Sequence, residues 1–515
     1  MRLGRPLAAI AAVFITSAGC RSGPPATSWV EHDAHYSTRH ATTSARDPSA
    51  VPRAPHDIEQ MTAAAVHAAL ERIGDTAPAA RLALRAARLA YHQGDDAEAR
   101  GWLARATSAD DAVTVQAEVA ELAAKLVVPP AQSTKIAVLL PLSGKFSAIG
   151  RELRAAIELA PSNGTQWLFI DTTGDPDAAA AAVDAAFDQG ALGILGPVGE
   201  REALSAARIA AIRGIPIGLL APGDGADPAA GVFRLVDSTA DEARAVARLA
   251  ARENFPTVGV LAPRDDAGQQ AIDALAAEAA KLGIQVTAQG SYDPTGGNLE
   301  ADVKTFLGLI PAQNPRLAAH LARNGNKGWT TFSPDVPFTL LYIPDRYDRA
   351  ALVAAFLPYF GVELRTTEFP DIAKLQRKHG GHTPQVVQLI GGAGWNHPSL
   401  PVRGGNAVQG ALIVDPFAGE RGSDLAAEFA ALFRQRTGRD PSSAAAQAYD
   451  AATLMTGARH HAAQSPHPRA ALRAALARAA IDDGACGPAA IASDGELTRE
   501  LTVLEVEGDQ LLPMP

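Results

Sequence analysis

Cysteine is almost missing from this chain: Cys20 and Cys486 are the only two among 515 residues. That excludes a disulfide-stapled scaffold and any multi-cysteine zinc site. Aromatic residues are scarce too, at 5%, while hydrophobic residues reach 47% and alanine supplies many of them. Such a balance favours helices with thin, closely packed interfaces. Positive charge falls short of negative, 46 Lys and Arg against 56 Asp and Glu, for a net charge of −10. The chain therefore offers no basic footprint for a phosphate backbone, and nucleic acid is not an expected partner. At the amino terminus the apolar run is short, Leu7 to Ile15, against the roughly 20 residues a membrane-spanning helix needs. What is present is length, which at roughly 150 residues per domain predicts two or three domains.

Arg2 and Arg5 precede the Leu7–Ile15 run, which closes on Thr16-Ser17-Ala18-Gly19-Cys20. Basic start, short apolar stretch and small closing residues read as a secretory signal peptide over residues 1–19. The small residues before Cys20 resemble the bacterial lipoprotein box, with Ser17 where leucine is usual. The resemblance implies that Cys20 takes a diacylglyceryl group and begins the mature chain. An ordinary cleaved signal with an incidental cysteine is the alternative. Acyl chains hold a protein to a bilayer by about 0.8 kcal/mol per buried CH2, so the mature protein would be tethered rather than spanning. Arg21 comes next, instead of the aspartate that resembles an inner-membrane retention signal, which points to the periplasmic face of the outer membrane. With Cys20 lipidated, Cys486 has no partner and is expected to be a buried, small apolar residue.

Residues 20–56, which begin at the lipidated cysteine, are rich in Ser, Thr, Pro, His and Arg, and predict a flexible linker. His32, His35 and His40 match no metal-ligand spacing. Residues 57–128 change to apolar positions at three- and four-residue intervals, broken at Gly74-Asp75 and Gly94-Asp95-Asp96. Ala83 to Ala106 resembles one tetratricopeptide repeat: Leu89-Ala90-Tyr91 ends a first helix, Gly94-Asp95 turns, and Ala99, Leu103 and Ala106 pack the second. A generic helical hairpin domain stands beside that reading.

From residue 133 to 515 the rhythm changes again. Trp167 to Asp171, Leu192 to Leu195, Ile215 to Leu220, Thr257 to Leu261, Ile284 to Ala288, Thr339 to Ile343, Val386 to Ile390 and Ala411 to Val414 read as apolar strands between alanine-rich helices. Strands apolar on both faces imply parallel sheets covered by helices. The stretch is too long for one ordinary sheet and predicts two doubly wound α/β lobes.

Val138 to Gly150, Ile194-Leu195-Gly196-Pro197, Ile215-Pro216-Ile217, Val232 to Leu235 and Ser493 to Leu497 resemble landmarks of type I periplasmic binding proteins of the leucine-binding class. Within that class, Phe338 to Asp345, Ala350 to Phe360, Gly391 to Asn396 and Val408 to Ala411 resemble the penicillin-binding protein activators. Those are outer-membrane lipoproteins with a tetratricopeptide-like domain and then a type I binding-protein domain, in the order read here. The resemblance implies an all-α domain ahead of a two-lobed α/β fold. Lobe one is placed at about 134–236 and 418–482, and lobe two at about 239–414. The crossings are placed near Leu235–Ser238, Val414–Phe417 and Ile481–Ser493, around a ligand cleft that closes by hinge motion.

In amino-acid-binding relatives, the loop after the strand that matches Ile194-Leu195-Gly196 gives a serine hydroxyl and backbone amides to the ligand carboxylate, and the next loop gives a threonine. Here those loops read Pro197-Val198-Gly199-Glu200-Arg201-Glu202 and Ala221-Pro222-Gly223-Asp224, without a matching hydroxyl. Glu200 near a helix start would compete with a carboxylate ligand for the same amides. By fold analogy, Ser143, Phe146, Gly199, Glu200, Ala221, Arg264, Asp265 and Trp395 are the candidate cleft positions. His379, His382 and His397 lie in loops without a visible acidic partner, and no metal site is expected. Gly193 to Gly196 and Gly391 to Gly394 lack phosphate- and dinucleotide-binding spacing, so no cofactor is expected. No Gly-x-Ser-x-Gly elbow is present, and no enzyme is expected. The resemblance implies a non-enzymatic lipoprotein that docks on a bifunctional penicillin-binding protein and stimulates peptidoglycan synthesis. The alternative is a periplasmic solute receptor of the branched-chain amino acid transporter class, with altered specificity and a small molecule in its cleft. Residues 301–337 form a long insertion with a loop-like Asn324-Gly325-Asn326-Lys327-Gly328-Trp329 stretch.

Overall fold

The computed structural model describes residues 51–514 apart from 94, 127–130, 224, 296, 367–370, 380, 382 and 466. The expected signal peptide, Cys20, most of the expected linker, Asp224 and His382 lie outside the described residues. The chain divides into a unit ending at Met61, which holds the helix Pro55–Glu59, and a unit from Thr62 onward.

The second unit begins with helices Ala63–Ile73, Ala79–Gln93, Asp96–Ser108 and Gln116–Leu126. Thr62 and Asp95 cap two of them by accepting from Ala65 N and Glu98 N, which satisfies otherwise orphaned amides. Alanines 83, 86, 87 and 90 on one helix and 99 and 106 on another are buried with Leu82, Leu84 and Leu103. These small side chains let the two helices on either side of Asp95 approach closely. Glu118 bridges Arg81 and Arg88, tying the last helix back to the second.

The α/β region carries sixteen described strands: β1 (Lys135–Leu140), β2 (Gln166–Asp171), β3 (Gly193–Leu195), β4 (Ile217–Leu219), β5 (Val232–Arg234), β6 (Thr257–Pro263), β7 (Gln285–Tyr292), β8 (Leu340–Ile343), β9 (Glu363–Leu364), β10 (Val386–Gly391), β11 (Leu412–Asp415), β12 (Ala480–Ile481), β13 (Ala489–Ile491), β14 (Leu497–Thr498), β15 (Thr502–Glu507) and β16 (Gln510–Pro513). The first sheet has the order β2-β1-β3-β4-β5, all parallel. One of its faces packs on helices Ser147–Ile157, Asp424–Thr437, Ser443–Ala462 and Pro468–Leu476, and the other on Pro176–Asp188 and Glu200–Arg213. The second sheet has the order β16-β15-β11-β10-β8-β6-β7, with β9 beside β10. Its faces pack on Thr239–Arg252 and Asp266–Leu282, and on Leu299–Phe306, Tyr347–Tyr359 and Ser399–Gly404. Strands buried on both faces explain the uninterrupted apolar runs of the sequence.

Two expectations need correction. The third crossing does not lie at Ile481–Ser493. Residues 480–498 fold as the antiparallel set β12-β13-β14, and Ala485, Cys486, Ile491 and Leu497 join the lobe-one core. The chain crosses at Arg499 and then adds β15 antiparallel to β11, burying Leu504 and Val506 in lobe two. Lobe one therefore extends beyond residue 482, and lobe two regains the chain after residue 414. The alternation Thr502-Val503-Leu504-Glu505-Val506-Glu507 is the half-buried strand pattern that marks this edge. The second is the loop-like reading of Asn324–Trp329, which belongs to a mostly helical insertion at 301–337. It holds the end of helix Leu299–Phe306, then Pro315–Asn324 and Gly328–Thr331, and it seats Leu317 and Phe332 in the lobe-two core.

Candidate functional site

In open parallel sheets, ligands bind outside the carboxyl ends of the strands, at the point where strand order reverses. In lobe one that point lies between β1 and β3, because β1 is flanked by β2 on one side and β3 on the other. The loops there carry most of the lobe-one candidates. Asp171, ending β2, accepts from Leu142 N at 2.8 Å, Ser143 N at 3.2 Å and Thr173 N at 2.8 Å. Burial pushes its pKa up, but these donors and the Ser143 hydroxyl outweigh that and hold the carboxyl below its usual range. Ser143 is thus committed to shaping the loop. Phe146 is 45% exposed, its ring near Gly174 and under the Lys145 ammonium. It is the one large apolar side chain that this loop offers to solvent.

Gly199 occupies the cap position of helix Glu200–Arg213. Glu200 folds toward Gly223 on the next loop. Glu202 is buried and turns back so that its carboxyl faces the Gly199 amide and the Thr172 hydroxyl. Burial pushes its pKa up, the hydrogen-bond donors opposing. This helix start, a natural seat for an anion, is already faced by a carboxyl of its own chain. Ala221, 3% exposed, packs in the same apolar cluster as this helix.

The lobe-two candidates part company. Asp265 accepts from Gly268 N at 2.8 Å, a helix cap. The Arg264 guanidinium turns onto β7, reaching Ser291 O at 3.2 Å and Asp302 at 3.6 Å. There it borders a groove of about 540 Å³ beside β7, the last described strand of its sheet, lined also by Thr287, Phe306, Asp335 and Phe338. Trp395 has no exposed surface, and its Nε1 donates to Ile343 O at 3.0 Å. It is a packing residue under Gly391, where a Cβ would overlap its ring, and not a rim residue. The three-carboxylate constellation that does form was not visible in the sequence. Asp237, Glu242 and Asp415 converge where the lobes join. Nor was the stacked pair Tyr347 and His397 after β8 and β10, with ring centroids 3.7 Å apart and planes 3° apart. The only sequence signals for these were the Ile-Pro-Asp and Gly-Trp-Asn segments beside them.

His379 does have an acidic partner, contrary to expectation: its Nε2 lies 2.8 Å from Glu363 Oε1, with Lys378 on the same carboxylate. Among the described residues no group of three or more His, Cys, Asp or Glu side chains is arranged to hold a metal ion. No helix among them is long and apolar enough to cross a membrane.

Two doubly wound lobes joined by three crossings define a type I periplasmic binding protein fold. The chain belongs to the periplasmic binding protein family, whose sequence model matches residues 133–337 and 371–510. It is similar in fold to a leucine-binding protein from Thermotoga maritima, with 21% identity and a TM-score of 0.51, over 74% of this chain and 98% of that one. A putative branched-chain amino acid transporter protein from Rhodospirillum rubrum aligns with 20% identity and a TM-score of 0.56, over 74% and 100%. The isoleucine complex of a Streptococcus pneumoniae substrate-binding protein aligns with 14% identity and a TM-score of 0.51, over 74% and 99%. No curated protein matches the chain.

Proposed function

We propose that the protein is a non-enzymatic lipoprotein, anchored through Cys20 to the periplasmic face of the outer membrane, that binds and stimulates a bifunctional penicillin-binding protein. The observation that carries the reading is the lobe-one wall. Glu200 and Glu202 stand at the helix start where a carboxylate ligand would need donors, so an ordinary amino acid is a poor occupant. A tetratricopeptide-like domain of helical hairpins ahead of the binding-protein fold adds a docking scaffold, which a transport receptor does not need. Stimulation would come from binding energy that favours the active conformation of the synthase, and this requires higher affinity for that state.

Pull-down of the full chain against purified bifunctional synthases, and then glycan polymerisation with and without it, tests the proposal. A complex and a faster rate are expected; no complex and an unchanged rate would overturn it. A solute receptor is the second reading, favoured by the solved relatives, which align over nearly their whole length. Thermal-shift screening with amino acids, peptides and muropeptide fragments separates the two, because a ligand bound only by the native state raises its stability by mass action.

A further inference from the structure

All three crossings between the lobes pass through one buried polar cluster. The first, after β5, carries Asp237 and Ser238, 6% and 4% exposed. The second begins at Asp415, with no exposed surface. The third is Arg499, whose side chain is fully buried. Arg499 Nε lies 3.2 Å from Asp237 Oδ2, and its Nη1 lies 2.8 Å from Asp450 Oδ2. Buried Arg234 pairs with Asp241 at 3.0 Å and with Glu496. Arg244 also reaches Asp241, from the helix surface.

Negative groups outnumber positive ones here. Asp237, Asp241, Glu242, Asp415, Asp450 and Glu496 face Arg234, Arg499 and the half-exposed Arg244. The guanidiniums are spent on Asp237, Asp241, Asp450 and Glu496, which leaves Glu242 and Asp415 without a cation. Asp415 is met by neutral donors only: Ser443 Oγ, Phe417 N at 2.7 Å and the Asn396 amide. Its Oδ2 has no hydrogen-bond partner, nor has the nearby buried Tyr342 hydroxyl. Glu242 lies against the Gly392–Ala393 loop, so close that a Cβ on Gly392 would overlap its carboxyl oxygen. It meets the Ala393 amide, Tyr342 and the carboxyls of Asp237, Asp241 and Asp415. From the lobe-one side the cluster is closed by Gln447, whose Oε1 accepts from Asp237 N at 2.8 Å, and by the Cys486 thiol.

A carboxylate withdrawn from water without a counter-charge, Asp415 wholly and Glu242 in part, takes a proton instead. We propose that this junction is a proton-gated hinge, in which the compact arrangement of the lobes holds protons on Glu242 and Asp415, beside the paired Asp237, and their release drives the lobes apart. Separation would hydrate the cluster and relieve repulsion among its carboxylates. Burial, with mutual repulsion added, pushes Asp237 up to about 6, Asp415 to about 7 and Glu242 to about 8. The gate therefore works between mildly acidic and mildly alkaline pH. It goes beyond the synthase reading and does not depend on it.

Small-angle scattering of the full chain across pH 5–9 tests the hinge, with circular dichroism confirming that the protein stays folded. The radius of gyration and maximum dimension are expected to grow reversibly as pH rises through 6 to 8. The variant Glu242→Gln/Asp415→Asn, which carries the protonated shape permanently, is expected to stay compact throughout. Glu242→Gln alone, at a partly exposed position, should shift the expansion to higher pH and serves where the double variant folds poorly. Constant dimensions in the native protein, or the same expansion in both variants, would overturn the proposal.

Discussion

Asp450 is the residue on which the lobe-one end of the junction depends most. It sits mid-helix in Ser443–Ala462, fully buried, and its two oxygens accept from Ala485 N at 2.7 Å, Cys486 N at 3.0 Å and Arg499 Nη1 at 2.8 Å. Removing one partner of a buried pair strands the other charge, so Asp450→Ala should lower unfolding free energy by about 3–5 kcal/mol. Asp450→Asn keeps an acceptor for one amide and should cost less; urea denaturation of both variants checks the order. Cys486 lies in the same pocket, 4% exposed, and burial raises its thiol pKa well above normal. It should resist maleimide in the native protein and react fully in urea, since the thiolate is the nucleophile. Rapid native labelling would contradict the burial. The sequence made the burial of Cys486 legible by elimination. It could not reveal Asp450 or Arg499, because an Asp in an alanine-rich helix and an Arg nearly fifty residues on acquire meaning only in three dimensions.

Among elements, the strands that read most clearly are those buried on both faces, β3, β8, β10 and β11, because continuous apolar runs admit few other placements. Less legible was the β15–β16 hairpin, which belongs to lobe two although the chain before it belongs to lobe one. Its alternation was present in the sequence, but which sheet it joins is set by pairing with β11. That pairing makes a stability claim. Leu504 is 1% exposed and packs in the lobe-two core, whereas Leu511 on β16 is only partly buried. Leu504→Ala should cost about 2–5 kcal/mol and Leu511→Ala clearly less. Equal losses in chemical denaturation would mean that β15 does not close the sheet as described. The same contrast explains the cleft candidates. Loop positions after β1 and β3 could be placed by the resemblance of their strands and loops to the binding-protein class, but Trp395 reads as a cleft or rim residue until its indole is seen donating to Ile343 O.

For the whole molecule, stability should follow pH in a direction set by two opposed groups of carboxyls. Exposed Asp171 and half-buried Asp241 lie below the usual carboxylate range, held there by hydrogen-bond donors and, for Asp241, by Arg234. Their contribution is present above the unfolded values, near 4, and is lost as pH falls through the folded ones. Asp237, Asp415 and Glu242 are raised, so their contribution is whole below the unfolded values and is lost as pH rises through about 6, 7 and 8. The melting temperature is therefore expected to peak in mildly acidic solution and to decline toward pH 8, a slope fixed by proton linkage. Glu242→Gln/Asp415→Asn should flatten the alkaline decline and leave the acid limb unchanged. This measurement and the scattering experiment answer different questions. A native protein that loses stability on the alkaline side without expanding would keep the linkage and remove the hinge, because the protons would then be released by unfolding and not by separation of the lobes. Expansion at full secondary structure, abolished in the neutral variant, is the only combination in which the junction carboxyls work as a gate.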